Sequence, residues 1–273
     1  MASSTSARLQ LPQLDGVEAA KRAAAYAAVD AHVRAEDRVI GIGSGSTVPY
    51  VVERIVQQGK AVNAGRWFVP TGFQSKELIV HAGLQLGDVD CYPVIDVTID
   101  GADEVDSALN AIKGGGACHL REKVLAEAAK VFVVVADYRK NGTALGQAWT
   151  QGVPVEVAEF AYAKVMRDLQ RMGGKPVLRM GKAKAGPVVT DNGNFVIDAP
   201  FSAEVMAQPR ALLQQIKLLT GVLEVGLFVD VVQAAYFGNQ DGTITTKVLN
   251  GKTVDTQEGV TFDVTQPPAA ASA

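Results

Sequence analysis

The chain has 273 residues, 48% hydrophobic and 20% charged, with a net charge of −3. That length holds a large core in roughly one or two domains, and the near-neutral balance offers no electrostatic case for nucleic acid or an acidic membrane surface. No window approaches the ~18 to 20 unbroken apolar residues of a membrane span. Cys91 and Cys118 belong to no motif, which speaks against a disulfide framework and for reduced thiols.

The start, MASSTSARLQLPQLDG, has no long apolar run and does not read as a secretory signal. It is Ser-rich and short of acids, faintly like a transit peptide; a frayed tail on a cytoplasmic protein is the plainer reading. Val17 to Arg34 is Ala-rich with interspersed charges and predicts the first helix, on which Lys21 reads as a solvated lysine. Next come a short strand from Val39, the loop Gly41 to Thr47 and a helix from Pro49. Gly41, Gly43 and Gly45 would let backbone approach a ligand, and the Ser44, Ser46 and Thr47 hydroxyls beside a helix N-terminus suit a phosphate. A dinucleotide fingerprint fits badly: its third glycine would fall on Ser46, and the strand Trp67 to Val69 runs into Pro70-Thr71 with no ribose-binding acid. No Gly-Lys-Ser/Thr follows, so it is not a P-loop, and a merely structural glycine turn stays open.

Thr71 to Ser75 opens another helix, and Leu84 to Leu86 and Ile95 to Ile99 supply further strands. The β-α-β-α-β order predicts a parallel sheet, whose ligands sit beyond the carboxyl ends of the strands, where Asp100 and Asp103 fall. Alone, each reads as a loop or cap acid. Asp96, Asp100 and Asp103 lack the DxD spacing of an aspartyl-phosphate enzyme; a magnesium site stays open on spacing, although Lys113 could supply the neutralising charge itself. The loop Lys113 to Gly116 leads into a helix over Cys118 to Lys130, with Leu120, Val124, Leu125, Ala128 and Ala129 on its apolar side and Glu122 in its first turn. Glu122 would serve as a base only if burial or a nearby acid raised its pKa against the helix dipole. His32, His81 and His119 have no ligand spacing, so no metal site is assigned. Val131 to Ala136 is an apolar strand ending in Asp137-Tyr-Arg139-Lys140, a basic pair that could close on phosphate.

From Gly146 the pattern changes. Strands Val153 to Ala158, Pro176 to Met180, a hairpin around Asp191 to Asn194, and Val222 to Phe228 alternate with helices Phe160 to Met172 and Ala203 to Leu219. This β-α-β-β-α-β order predicts a smaller α+β ferredoxin-like domain, 146–228, inserted into an α/β Rossmann-like parallel-sheet domain, 1–145 plus 229–273. Val229 to Phe237 and Thr243 to Leu249 return to the larger domain, and the tail after about Phe262 reads as disordered.

Taken together, GIGSGST (41–47), IDGADEVD (99–106), KGGG followed by REK (113–123), VVVADYRK (133–140), PVEV (154–157) and VVTDNGN (188–194) resemble ribose-5-phosphate isomerase of the A type, over residues 17 to 250. The resemblance implies metal-free interconversion of D-ribose 5-phosphate and D-ribulose 5-phosphate in the pentose phosphate pathway, no cofactor, and a homodimer or homotetramer. Carried over by position, Glu122 is the proton acceptor. Ser44, Gly45, Ser46, Thr47, Asp100, Gly101, Ala102, Asp103, Lys113, Gly114, Gly115, Gly116 and Lys140 are substrate-binding. Leu120 and Gly72 depart from the Thr and Ser common in the family. The expected chemistry divides among four residues: Asp100 or Asp103 with Lys113 opens the furanose, Glu122 moves the C2 proton through an enediolate, and Lys113 with its glycines holds the charge. The alternative from another class is a non-catalytic phosphosugar sensor on the same scaffold.

Overall fold

The computed structural model describes residues 8–268. The Ser-rich start through residue 7 and the end beyond 268 lie outside the described residues, so the tail expectations there are not addressed. In chain order the first part runs α1 (Gly16–His32), β1 (Val39–Ile42), α2 (Val48–Gln57), α3 (Lys60–Asn63), β2 (Trp67–Pro70), α4 (Phe73–His81), β3 (Ile95–Asp100), β4 (Glu104–Val105), β5 (Ala111–Ile112), α5 (His119–Ala128) and β6 (Ala129–Asp137). The second part runs β7 (Val153–Val157), α6 (Tyr162–Arg171), β8 (Val177–Leu178), β9 (Phe195–Ala199), α7 (Ala203–Met206), α8 (Pro209–Lys217), β10 (Val222–Val225), β11 (Leu227–Phe228), β12 (Ala234–Gly238), β13 (Thr243–Asn250) and β14 (Thr253–Thr261).

The central sheet has the order β14-β13-β12-β6-β3-β1-β2, parallel from β12 through β2. Its β1 and β6 are nearly continuous apolar runs because helices and loops cover both faces, while β3 alternates Ile95, Val97 and Ile99 with Asp96, Thr98 and Asp100. The Ala-rich α1 lies against β6 and β12, close enough that a methyl on Gly238 would overlap the Ala20 carbonyl. A second sheet, β10-β7-β9-β8, is antiparallel throughout, and with α6 and α8 it reproduces the ferredoxin-like order expected from the sequence. Its core of Val155, Val165, Leu169, Ile197 and Ile216 is separate from that of the central sheet.

Several local expectations are corrected. Leu84 to Leu86 is not a strand: Gly83 and Gly87 bracket it and it contributes one bridge, Phe68 to Leu86. The helix expected over Ala203 to Leu219 is two helices, because Pro209 pushes Gln208 out of helical conformation. The last strand breaks at Gly226, where a methyl would lie 2.2 Å from the Lys113 carbonyl, so β10 joins the small sheet while β11 pairs with β5. Helix α5 turns His119, Glu122, Lys123, Leu125 and Ala126 inward; of the apolar side expected from hydrophobicity Leu125 is buried, Leu120, Ala128 and Ala129 are half-buried and Val124 is exposed. Lys21 is buried and ion-paired with Glu18 at 2.6 Å. The described part of the tail is ordered: Phe262 and Val264 pack on the core, and the Thr265 and Gln266 carbonyls accept from Leu9 N and Arg54 Nη1.

Candidate active site

A cavity of about 200 Å³ opens at the carboxyl ends of β1, β3 and β6. It is lined by Ser44, Gly45, Ser46, Thr47, Gly101, Ala102, Asp103, Lys113, Gly114, Gly115, Gly116, Glu122 and Lys140, among others. Every residue that the resemblance assigns to catalysis or substrate therefore meets here except Asp100, which stands immediately beneath.

Asp100 ends β3, fully buried. Its Oδ1 accepts from the amides of Ser44 (2.9 Å) and Gly101 (2.7 Å), and its Oδ2 faces Lys113 Nζ at 3.0 Å. The Lys113 ammonium also donates to the Gly101 carbonyl, stands 3.4 Å from Glu122 Oε2 and lies 5.5 Å from the centre of the Phe228 ring. Burial by itself would lower the Lys113 pKa; the Asp100 and Glu122 carboxylates outweigh it and hold the ammonium above the ordinary lysine value. Glu122 Oε1 accepts a 2.5 Å hydrogen bond from Ser44 Oγ, while Oε2 has no hydrogen-bond partner. Burial, reinforced by the charge of Asp100, pushes the Glu122 carboxyl up to about 7 against the opposing pull of Lys113 and Ser44. The burial and neighbouring acid that a base in a first helical turn requires are both present.

Asp103, three residues past the strand end, accepts from Gly115 N at 2.7 Å. Burial raises its pKa, partly offset by that amide and by Lys113, Lys140 and Arg179. The acids thus sit in different surroundings: Asp100 has one oxygen held by two amides and the other facing an ammonium, whereas Asp103 borders the open cavity.

The loop after β1 works differently from the expectation. Gly41 and Gly43 meet neighbouring protein, not ligand: a methyl at Gly41 would lie 2.1 Å from Thr98 Oγ1, and one at Gly43 would lie 2.1 Å from Asp100 Oδ1 and 2.4 Å from its Cα. Their smallness lets β1 and its loop close on β3. Gly45 has φ of +102° and carries the turn, and Gln74 Oε1 accepts from its amide at 2.8 Å. Ser44 spends its hydroxyl on Glu122, which leaves Gly45, Ser46 and Thr47, at the start of α2, to line the anion-suited end. Gly43→Ala is expected to destabilise the fold by about 1–3 kcal/mol through overpacking and to depress activity by displacing Asp100, measured by thermal melting and steady-state rates together.

The basic pair after β6 splits. Arg139 pairs with Asp137 in a two-pronged contact (2.6 and 3.0 Å), and Lys140 alone reaches the cavity wall. The histidines also separate: His32 bonds Tyr236 Oη at 3.0 Å, His81 is exposed, and His119 is fully buried, with burial forcing its pKa down to about 3. His119 lies under the Lys113 loop, where a methyl on Gly114 would stand 2.7 Å from its Nδ1. Cys118 is unsuited to nucleophilic chemistry because burial, and the nearby Glu122 charge, raise its thiol to about 12.

Other contributors come from far along the chain and escaped notice in the sequence. Asp191, at the tip of the hairpin in the small sheet, accepts from Phe73 N at 2.8 Å, and a methyl on Gly72 would lie 2.9 Å from its Oδ2, which accounts for glycine there. Arg179 donates to the carbonyls of Gly114 and Gly115. A lone arginine following a short strand carries no sequence signal; only its contacts give it meaning.

A family model described as Ribose 5-phosphate isomerase A (phosphoriboisomerase A) matches residues 67–242. The chain is 73% identical over 263 residues to the ribose-5-phosphate isomerase of Mycosarcoma maydis, covering 96% of this chain and 91% of that protein. Among solved structures it is similar to a D-ribose-5-phosphate isomerase in complex with phospho-erythronic acid, with TM-score 0.78 and 35% identity over 85% of this chain and 99% of that one. It is also similar to ribose 5-phosphate isomerase from Plasmodium falciparum, with TM-score 0.77 and 32% identity over 85% and 99% of the two chains. A buried carboxylate–ammonium–carboxylate cluster at the strand ends, a glycine-bounded cavity and this breadth of likeness agree, and the chain belongs to the ribose 5-phosphate isomerase A family.

Proposed function

We propose that this enzyme interconverts D-ribose 5-phosphate and D-ribulose 5-phosphate, in the non-oxidative branch of the pentose phosphate pathway, by proton transfer through an enediolate. The observation that carries this reading is the Glu122 carboxyl: buried, with one oxygen held by Ser44 and the other unpartnered beside Lys113.

In the ring-opened aldehyde, Glu122 removes the C2 proton, and the electron pair of that bond passes through C1–C2 to the carbonyl oxygen O1. The enediolate so formed is stabilised by the Lys113 ammonium and by amides of the glycine loop. O1 is then protonated, O2 loses its proton to become the ketone, and protonated Glu122 returns its proton to C1. A carboxyl with a pKa of about 7 suits both halves, because about half of it is ionised near neutrality and it is a far better base than an ordinary glutamate. Asp103, on the open wall, is assigned to the hydroxyl and ring-oxygen protons together with Lys113, and Asp100 to holding Lys113 charged and aimed. Gly45, Ser46, Thr47 and Lys140 bind the phosphate, whose binding energy is remote from the reacting carbons.

The division into a catalytic unit, 1–145 plus 229–273, and a smaller unit, 146–228, belongs to this proposal, supported by their separate apolar cores. So do a homo-oligomer and a cytoplasmic location. The exposed apolar side chains Phe160, Val177 and Leu218 support the first, and the free Cys91 and Cys118 the second. Among the described residues no helix is long and apolar enough to cross a membrane.

Incubation with ribose 5-phosphate in deuterated water tests the function. Ketose formation with deuterium entering the exchanging carbon is expected; binding without ketose or exchange would favour the sensor. A base must be ionised to act, so kcat/KM should fall tenfold per pH unit below about 7 and level off above it. A pH–rate profile flat from 5 to 8 would contradict the assignment of Glu122.

A further inference from the structure

The oxyanion-binding loop is three consecutive glycines, the residues with the most backbone freedom to lose. Donors that stabilise a developing charge are effective only if already aimed, so something must hold this loop. Within it, Ala117 N closes a turn onto the Gly114 carbonyl. The strongest restraint comes from the other unit. Arg179, just past β8, donates through Nη1 to the carbonyls of Gly114 (2.8 Å) and Gly115 (3.1 Å). Its Nε and Nη2 make a forked pair with Asp198 of β9, at 2.8 and 2.5 Å, and both side chains are about 15% exposed or less. All three guanidinium nitrogens are therefore engaged, in the planar two-sided geometry that only arginine supplies.

A trans peptide is planar, so its N–H points opposite to its C=O. Drawing the Gly114 carbonyl toward Arg179 turns the Gly115 amide away from it, and that amide meets Asp103 Oδ2 at 2.7 Å on the cavity wall. Drawing the Gly115 carbonyl the same way turns the Gly116 amide toward the same side. The guanidinium also polarises both peptides, strengthening their N–H groups as donors.

We propose that Arg179 is a positioning residue for the isomerase reaction, holding two carbonyls of the glycine loop so that the opposite amides face the enediolate and Asp103. This rests on the isomerase reading. It assigns to the small unit a part in the chemistry although none of its residues reaches the reacting atoms, and it gives Asp198 the task of holding the fork.

The test compares wild type, Arg179→Met, Arg179→Lys and Asp198→Asn by kcat, KM for ribose 5-phosphate, and the inhibition constant of a four-carbon phosphorylated aldonic acid, whose planar carboxylate stands in for the enediolate. For Arg179→Met, kcat should fall about 10- to 100-fold, less than for outright removal of an oxyanion donor, with KM within about threefold of wild type. The inhibition constant should rise by the same factor as kcat falls. Arg179→Lys should recover only part, since an ammonium cannot span both carbonyls and the Asp198 carboxylate, and Asp198→Asn should fall between Lys and wild type. Unchanged kcat overturns the proposal. So does a lower kcat with an unchanged inhibition constant, which signals fewer folded sites, and so does an equal rise in KM and inhibition constant, which signals a generally distorted pocket. An inactive wild-type chain would overturn the isomerase reading, and this assignment with it.

Discussion

Glu122→Gln is expected to lower kcat by about 10⁴-fold while KM for ribose 5-phosphate changes little, because general-base catalysis by a positioned carboxylate contributes up to that factor and glutamine cannot accept the proton. The substitution keeps shape, and its amide oxygen can still accept from Ser44 Oγ. Stability should move the other way. Burial and Asp100 raise the folded-state pKa of Glu122 from 4.5 to about 7, so ionising it disfavours the folded state. That penalty is absent below the unfolded-state value, develops as pH rises between the two values, and is fully present above the folded-state value. Glu122→Gln should therefore melt at or above the wild-type temperature at pH 8, with the difference shrinking as pH falls from about 7 and gone below 4.5. Melting curves at both pH values beside steady-state rates check this. A variant that is inactive because it has unfolded, or one with more than about a tenth of wild-type kcat, would remove Glu122 from its role.

Lys113→Met should cost about 10²–10³-fold in kcat, the scale of losing one well-placed oxyanion donor. It should also move the acid limb of the pH–rate profile upward, since Lys113 lowers the Glu122 pKa and its loss leaves the burial and Asp100 effects unopposed. Stability falls as well. Asp100 Oδ2 has Lys113 3.0 Å away and no hydrogen-bond partner, and stripping one member from a buried ion pair typically costs ~3–5 kcal/mol. The double variant Lys113→Met with Asp100→Asn separates the effects: it should regain most of the lost stability and none of the lost rate. If it regains the rate, the ammonium is structural and the charge on the enediolate is borne elsewhere.

How far the site was legible depended on how local each signal was. Asp100 and Asp103 at a strand end, the Lys113 loop and Glu122 in a first helical turn lie within one short stretch, and their meeting follows from strand–loop–helix geometry. Where the sequence reading went astray, a partner was missing from view. Gly41 and Gly43 read as ligand-approach glycines because glycine marks close approach without saying to what; the answer is Thr98 and Asp100 on the adjacent strand. Lys21 read as solvated because lysine usually is, yet Glu18 one turn earlier takes its charge. Arg139 and Lys140 read as a pair until Asp137 claimed the first.

What the sequence determined by itself is the class of fold and the identity of the chemical groups. Apolar runs separated by helix-period segments point to a covered parallel sheet, the change of pattern after Gly146 points to an antiparallel unit, and acids and a lysine near strand ends supply groups that proton chemistry on an anion can use. What only tertiary structure decided is the state and aim of those groups. Whether Glu122 is a base depends on its burial and on Asp100, 22 positions away in sequence, and whether the glycine loop is rigid depends on Arg179, which donates to Gly114 across 65 positions. The physical reason is that secondary structure follows from short-range sterics and hydrophobic periodicity, whereas a pKa or a held loop depends on solvent exclusion and charges a few ångströms away, and those distances exist only once the chain has closed on itself.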